Sequence, residues 1–419
     1  MWLPLFCRGS PLFMVGLLCW AASSILLRIR WVHAASMWKC LSDDLQLRMT
    51  RSGIGCVIRQ NGETTLNLSP LTVAVIVPVY NGGTKFRASL DSIRRAAPPP
   101  DELIVVGDGD TDGSSQYAEA AGVTVYRFPA PGGPGRARNL GASRVKSDIL
   151  FFVDADVTVP ENIIRLVKEI FAQHAEVAAV IGSYDDQPKE PNFLSQYRNL
   201  LHHYVHQNGR EEASTFWGAC GAIRRETFLA MGGFDETYIK PSIEDIELGY
   251  RLKEAGHTIR LCKSLQVKHW KRWTVVSMLQ ADFFQRALPW TRLIHRHRGF
   301  VNDLNIGISG RASVLLTFGL LGALLLSPWQ PLLLVGAAVM GLMLFILNAR
   351  LYRFFLEKRG LRFAAQAIPW HWLYFLYSGA AFALGTVCHL AKGEEGLKGP
   401  ASLVTQDSRR SGSGVEKRS

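Results

Sequence analysis

Five apolar residues, Ile149-Leu150-Phe151-Phe152-Val153, run directly into Asp154-Ala155-Asp156. A short uninterrupted apolar run of this kind reads as a buried strand. It leaves two carboxylates one residue apart at its C-terminal end, where open α/β sheets receive their ligands. Two hard oxygen donors there suit Mg2+ or Mn2+ bound together with a diphosphate. Aspartates that simply close a turn are the alternative.

The flanks repeat the pattern. Val73-Ala74-Val75-Ile76-Val77 reads as another buried strand, broken by Pro78 and followed by Tyr80-Asn81-Gly82-Gly83. Helical spacing through Phe86, Leu90 and Ile93 covers 85–97 and stops at Pro98-Pro99-Pro100. Strands are expected at 103–106, 123–126 and 177–181, with helices at 115–121, 192–207 and 245–255. Ile163, Ile164, Val167, Ile170 and Phe171 share one face of a further helix. Strands alternating with helices argue for a parallel sheet with right-handed crossovers.

The 419 residues exceed one domain of this type, and the hydrophobic 48% is unevenly spread. Residues 1–35 form an N-terminal hydrophobic segment, a signal anchor or transmembrane helix, with 11–27 uncharged and Arg28 and Arg30 just behind. A cleaved signal peptide is the competing reading, with Ala34-Ala35-Ser36 as its cleavage-like site. A linker (36–70) leads into the α/β domain (71–275). Residues 276–305 belong to an amphipathic, aromatic and arginine-rich stretch suited to a membrane interface. Within 306–392, apolar segments at 307–327, 330–348 and 366–390 predict about three spans. The basic loop 349–365 between the last two should be cytoplasmic, and a two-span hairpin then puts the α/β domain on that side, at the inner or plasma membrane. The polar residues 393–419 read as a disordered tail.

Net charge is +12, yet no nucleic-acid motif is present and the basic residues cluster beside the apolar segments. Membrane lipids are therefore the expected partner, and nucleic acid is not. None of the seven cysteines forms a Cys-x-x-Cys pair, which indicates neither zinc nor a disulfide framework. His202 and His206 have the i,i+4 spacing of a metal pair, with solvated or interfacial histidines as the alternative.

Five motifs occur in order: Val75-Ile76-Val77-Pro78-Val79-Tyr80-Asn81, the Asp-rich loop 108–114, Gly135-Arg136-Ala137-Arg138-Asn139-Leu140-Gly141-Ala142, Asp154-Ala155-Asp156 and Glu244-Asp245. Together they resemble the family 2 glycosyltransferases with a GT-A fold, over roughly residues 72–275. The resemblance implies a Rossmann-like α/β domain with a mixed sheet, followed here by transmembrane helices. It also implies sugar transfer from a nucleotide-sugar donor, most simply a UDP-sugar, to a lipid or glycan acceptor.

Donor contacts are expected from Pro78, Tyr80, Asp108, Arg136, Arg138 and Asp154. In the family an acidic residue of the loop around Asp108 meets the uracil; here Gly107 and Asp110 depart from the usual Asp-Asp-Gly-Ser. Arg136 and Arg138 open a helix after a glycine loop, a place suited to phosphate. Asp154, Asp156 and His269 are the candidate metal ligands. Asp245 is the candidate catalytic base, with a helix N-terminal carboxylate as its structural alternative. Trp217, Gly218, Glu244, Arg272 and Trp273 are the candidate acceptor residues. His269-Trp270-Lys271-Arg272-Trp273 is similar to the Gln-x-x-Arg-Trp of processive members, with His in place of Gln. The reading is a membrane-bound, metal-dependent inverting transferase. A processive polysaccharide synthase and a non-catalytic nucleotide-binding membrane scaffold remain as alternatives.

Overall fold

In the computed structural model, residues 48–50, 53–55, 71–297 and 307–392 are described. The expected N-terminal hydrophobic segment (1–35) and tail (393–419) lie outside them. The chain divides into two units, Met1–Pro70 and Leu71–Ser419. In the first, β1 (Arg48–Thr50) and β2 (Gly53–Gly55) pair antiparallel.

The second unit runs β3 (Val73–Val79), α1 (Gly83–Arg94), β4 (Glu102–Asp108), α2 (Ser114–Ala120), β5 (Thr124–Phe128), α3 (Pro134–Arg144) and β6 (Ile149–Val153). Then follow β7 (Val157–Thr158), α4 (Ile163–Gln173), β8 (Val177–Tyr184), α5 (Phe193–Asn208), β9 (Glu212–Ala213), β10 (Cys220–Arg224), α6 (Arg225–Ala230), α7 (Glu244–Glu254) and β11 (Thr258–His269). The strands form one sheet in the order β5-β4-β3-β6-β10-β8-β11-β7, with β9 also on β11.

The sheet is mixed, with parallel ladders at β5/β4, β4/β3, β3/β6 and β8/β11. In contrast, β10 lies antiparallel between β6 and β8. This corrects the all-parallel expectation and agrees with the mixed sheet. Cys220 pairs with Val153, so the chain enters β10 at the C-terminal end of β6 and must run backwards along it.

Alternate residues of β3 serve two cores. Val73, Val75, Val77 and Val79 pack with Phe86, Leu90 and Ile93 of α1 and with Ile164, Val167 and Phe171 of α4. Ala74 and Ile76 pack on the opposite face with Ala137 and Ala142 of α3 and Leu248 and Leu252 of α7. A strand buried on both faces explains the unbroken apolar runs. Phe151 and Phe152 are fully buried on opposite faces, each contributing about 1.5–3 kcal/mol.

Beyond the sheet, α8 (Val275–Gln280), a π-helix (Ala281–Ala287) and α9 (Leu288–Arg296) follow one another without a gap. Among the described residues two helices are long and apolar enough to cross a membrane: α10 (Ile308–Leu326) and the 60-residue α11 (Leu333–Lys392). The last two expected spans thus lie in one helix, and the basic stretch between them is helical rather than a loop. It is interrupted at Gly360, whose φ of 80° and ψ of 177° are open chiefly to glycine. The break docks on the α/β domain. Leu351, Tyr352, Phe355, Ala364 and Ala367 pack with Leu194, Tyr197, Leu200 and Leu201 of α5. Lys358 pairs with Asp186 at 2.7 Å, and Arg359 donates to Asp186 O (2.6 Å) and Gln196 Oε1 (2.7 Å).

Candidate active site

The C-terminal ends of β3, β4, β6, β8 and β11 lie along one edge of the sheet. β6 and β8 are both antiparallel to β10, and β11 is parallel to β8. That edge gathers Tyr80, Asp108, Asp154, Tyr184 and His269 from elements far apart in sequence.

On the β3/β4 side, Tyr80 is 57% exposed and free to stack on a flat ring, while Pro78 is buried within β3. Asp108 is buried, and its carboxylate accepts from Gly132 N (3.0 Å), Gly133 N (2.7 Å) and Arg136 Nη2 (3.0 Å). The expected donor contacts of Asp108 and Arg136 are therefore directed at each other, locking the glycine loop. Arg136 also donates to Ala130 O and lies 3.8 Å over the Phe128 ring. Arg138, two residues on and hence on the other side of α3, points into the site.

Arg138 is 4% exposed and bridges two carboxylates, Asp154 Oδ1 at 2.6 Å and Glu244 Oε1 at 3.0 Å. Burial opposes its charge, but Asp154, Glu244 and Asp245 outweigh burial and hold the guanidinium protonated. Among the described residues no group of three His, Cys, Asp or Glu side chains is gathered for a metal. Of the expected trio, Asp154 gives Oδ1 to Arg138, because a buried guanidinium must be paired. The other two do meet: His269 Nε2 lies 3.7 Å from Asp156 Oδ2. The two-residue β7 causes this, since it pairs Val157 with His269 and sets the two chain segments side by side. Two donors each about 2.1 Å from one cation lie at most about 4.2 Å apart, so the pair fits a shared ion. Burial, helped by the nearby Lys271, pushes His269 well below its usual range and leaves a neutral imidazole able to ligate.

The base candidate stands on α7. Gly249 lets this helix abut the chain at 215–216, where a Cβ would come within 2.3 Å of Phe216 N. Asp245 Oδ2 then accepts from Gly218 N at 3.0 Å, and Oδ1 accepts from Ile246 N at 2.8 Å. Burial and the neighbouring Glu244 carboxylate raise Asp245 to about 7, against the pull of these N–H groups and of Arg138. Gly218 sits tightly as well: a Cβ there would be 3.0 Å from the Arg138 guanidinium carbon.

Comparison with known proteins supplies the decisive observation. The family model described as Glycosyl transferase family 2 matches residues 74–231, from β3 to the turn after α6. Residues 74–231 are a family 2 glycosyltransferase domain. The chain is accordingly a glycosyltransferase. A second model, described as the N-terminal domain of galactosyltransferase, matches residues 198–273. The succinoglycan biosynthesis protein ExoA of Rhizobium meliloti is 25% identical over 241 residues, which cover 55% of this chain and 72% of that protein. The glycosyltransferase GlyG of Streptococcus pneumoniae is 33% identical over 118 residues, covering 27% of this chain and 38% of that one. Among solved structures, the mannosyltransferase PcManGT from Pyrobaculum calidifontis, in complex with GDP-Man and Mn2+, has a TM-score of 0.41 and 19% identity, covering 77% of this chain and 90% of that one.

The expected acceptor residues separate. Trp217 and Gly218 stand at the site, and Glu244 faces Arg138. Arg272 is exposed. Trp273 is not at the site: it is 4% exposed and packs in the cluster that joins α5 to the break in α11. Its backbone is held there by Ser195 Oγ and Asn192 Nδ2. The residues the motifs did not disclose form an aromatic wall. Tyr184 stacks on His269 with centroids 4.2 Å apart and meets Trp217 edge-on at 4.8 Å. His202 and His206 stack at 3.9 Å and both contact Trp217. Burial lowers both, His206 to about 4, so this pair is neutral and lines the wall. The position of Tyr184 at a strand's C-terminal end was the available signal.

Proposed function

We propose that the chain is a membrane-bound inverting glycosyltransferase that moves a sugar from a UDP-sugar to a hydroxyl of a lipid-linked acceptor. The observation that carries this reading is Asp245. It is a carboxylate raised to about 7, fixed by two backbone N–H groups, and linked through Glu244 and Arg138 to Asp154. A base poised near the operating pH suits proton removal in the transition state. The acceptor hydroxyl gives its proton to Asp245 as its oxygen bonds to the anomeric carbon. The bond from that carbon to the donor phosphate oxygen breaks, and its electron pair leaves with the nucleoside diphosphate.

Asp156 and His269 are the residues that would hold a divalent cation, Mg2+ or Mn2+. Such a cation, when bound, neutralises charge on the leaving diphosphate. Two protein ligands suffice when substrate phosphates and water complete the shell. Tyr80 offers its exposed ring to the base of the donor, and Trp217 offers an aromatic surface to the acceptor. The docked break in α11 carries Lys358, Arg359 and Arg362 on the same side as the domain, which supports a cytoplasmic catalytic face.

The test is Asp245→Asn, assayed for acceptor glycosylation and for donor binding. Transfer should fall at least a hundredfold while donor affinity stays within about twofold. Lost donor affinity with residual transfer would refute the role of base.

A further inference from the structure

The π-helix between α8 and α9 holds a charge cluster outside the family motifs. Asp282, 3% exposed, receives Arg198 from α5 as a fork (2.7 and 3.2 Å), Tyr377 from α11 (2.7 Å) and Arg286 from its own helix (3.2 Å). One carboxylate faces two guanidiniums, and Arg198 already neutralises it. Arg286 is the surplus cation. Its side chain is 41% exposed, and among the described residues its one hydrogen bond is that from Nη1 to Asp282.

The helix is stitched against the catalytic centre. Gln285 O accepts from Ser242 Oγ at 2.7 Å, three residues before Asp245. The Arg286 charge acts on Tyr184, His202 and His269, and Asp245 acts on Arg286 in turn. A partly exposed arginine whose guanidinium keeps open donors beside a catalytic cleft is a site for a phosphate. The same segment turns Val275, Val276 and Phe284 outward at 48, 63 and 64% exposure. Phosphate chemistry and apolar surface therefore lie together, which favours a phosphate carried on a hydrocarbon chain over a free one.

We propose that Arg286 binds the phosphate of a lipid-linked acceptor and holds that lipid with its reactive hydroxyl toward Asp245. The orientation rests on the reading of Asp245 as base. If a base is needed, the nucleophile is a hydroxyl, so the phosphate at Arg286 is an anchor and not the attacking group. The acceptor class is then a sugar-bearing lipid phosphate or diphosphate.

The test uses the full-length chain in detergent and measures binding, so that it stands apart from chemistry at Asp245. Farnesyl phosphate, farnesol, inorganic phosphate and the nucleoside diphosphate that the wild type binds tightest are titrated against wild type, Arg286→Gln, Arg286→Lys and Asp245→Asn. Arg286→Gln should weaken farnesyl phosphate at least tenfold and leave farnesol and the nucleotide within twofold. Arg286→Lys should keep most of the affinity, and Asp245→Asn should bind as the wild type does. Unchanged farnesyl phosphate affinity in Arg286→Gln would overturn the proposal. Lost nucleotide affinity in that variant would overturn it too, by making Arg286 a donor clamp. Inorganic phosphate bound as tightly as farnesyl phosphate would overturn the lipid assignment. Loss of transfer in Asp245→Asn with normal lipid binding supports both readings, whereas retained transfer removes the base and leaves the phosphate site standing.

Discussion

Asp245 makes a sharp claim about pH. Its ordinary value is 3.8, and burial together with Glu244 raises it to about 7. A general base works only when deprotonated. A raised value therefore means that kcat/KM falls as pH drops through about 7, roughly tenfold per unit below it. An unperturbed aspartate, at about 3.9, would show no loss at pH 6. Two neighbours push Asp245 in opposite directions, and each can be removed. Glu244→Gln deletes the like charge and leaves Arg138 shared between Asp154 and Asp245, so the acid limb should move to lower pH. The glutamine oxygen can still accept from Ser242 N, as Glu244 Oε2 does at 3.0 Å. Arg138→Gln deletes the opposing charge, so the limb should move to higher pH. That variant also strips the partner from Asp154 and Glu244, a loss of about 3–5 kcal/mol that should show as a lower melting temperature. The assay is initial-rate transfer at saturating metal from pH 5 to 9, with melting followed in the same buffers. Limbs that shift together, or that stay at the wild-type position in both variants, would refute the electrostatic account of the base.

Two further outcomes test other parts of the reading. His269→Gln should raise the Mn2+ concentration for half-maximal activity at least tenfold, because the pair 3.7 Å apart becomes a lone carboxylate; an unchanged metal titration removes His269 from the site. Gly360→Val forces a β-branched residue to a φ of 80°, at roughly 1–2 kcal/mol, and should lower the melting temperature by about 2–8 °C; unaltered melting would show that the break is not held in this conformation.

What the sequence disclosed and what it hid follow from the range of the interactions. The Asp154-Ala155-Asp156 site was readable because strand, turn and carboxylates are contiguous. The partner of Asp156 was not readable from spacing, because His269 reaches it through a ladder of two residue pairs, Val157 with His269 and Thr158 with Lys268. Arg136 and Arg138 look equivalent as letters. Two helix positions place them about 200° apart, so only one can face the cleft. The other is consumed by Asp108. Trp273 failed for another reason: an amphipathic aromatic reads the same whether it faces lipid, sugar or protein. Here it faces protein. The stretch 349–365 reads as a loop from its charges, yet Lys, Arg and Leu are good helix formers and a single glycine breaks the helix.

The long-range contacts also explain why the donor and acceptor ends of the site are not independent. Asp154 sits at the end of β6 and Asp245 on α7, about ninety residues later in the chain. Arg138, from α3, links those two regions by ion pairs, contacting Asp154 and Glu244 with separate nitrogens. A donor that displaces Asp154 from Arg138 would strengthen the pull of Arg138 on Glu244 and Asp245. More positive charge at Asp245 lowers its pKa, so donor binding itself would favour the deprotonated base. The pH limb of kcat, which reports the donor-bound enzyme, should therefore lie below that of kcat/KM, which reports the free enzyme.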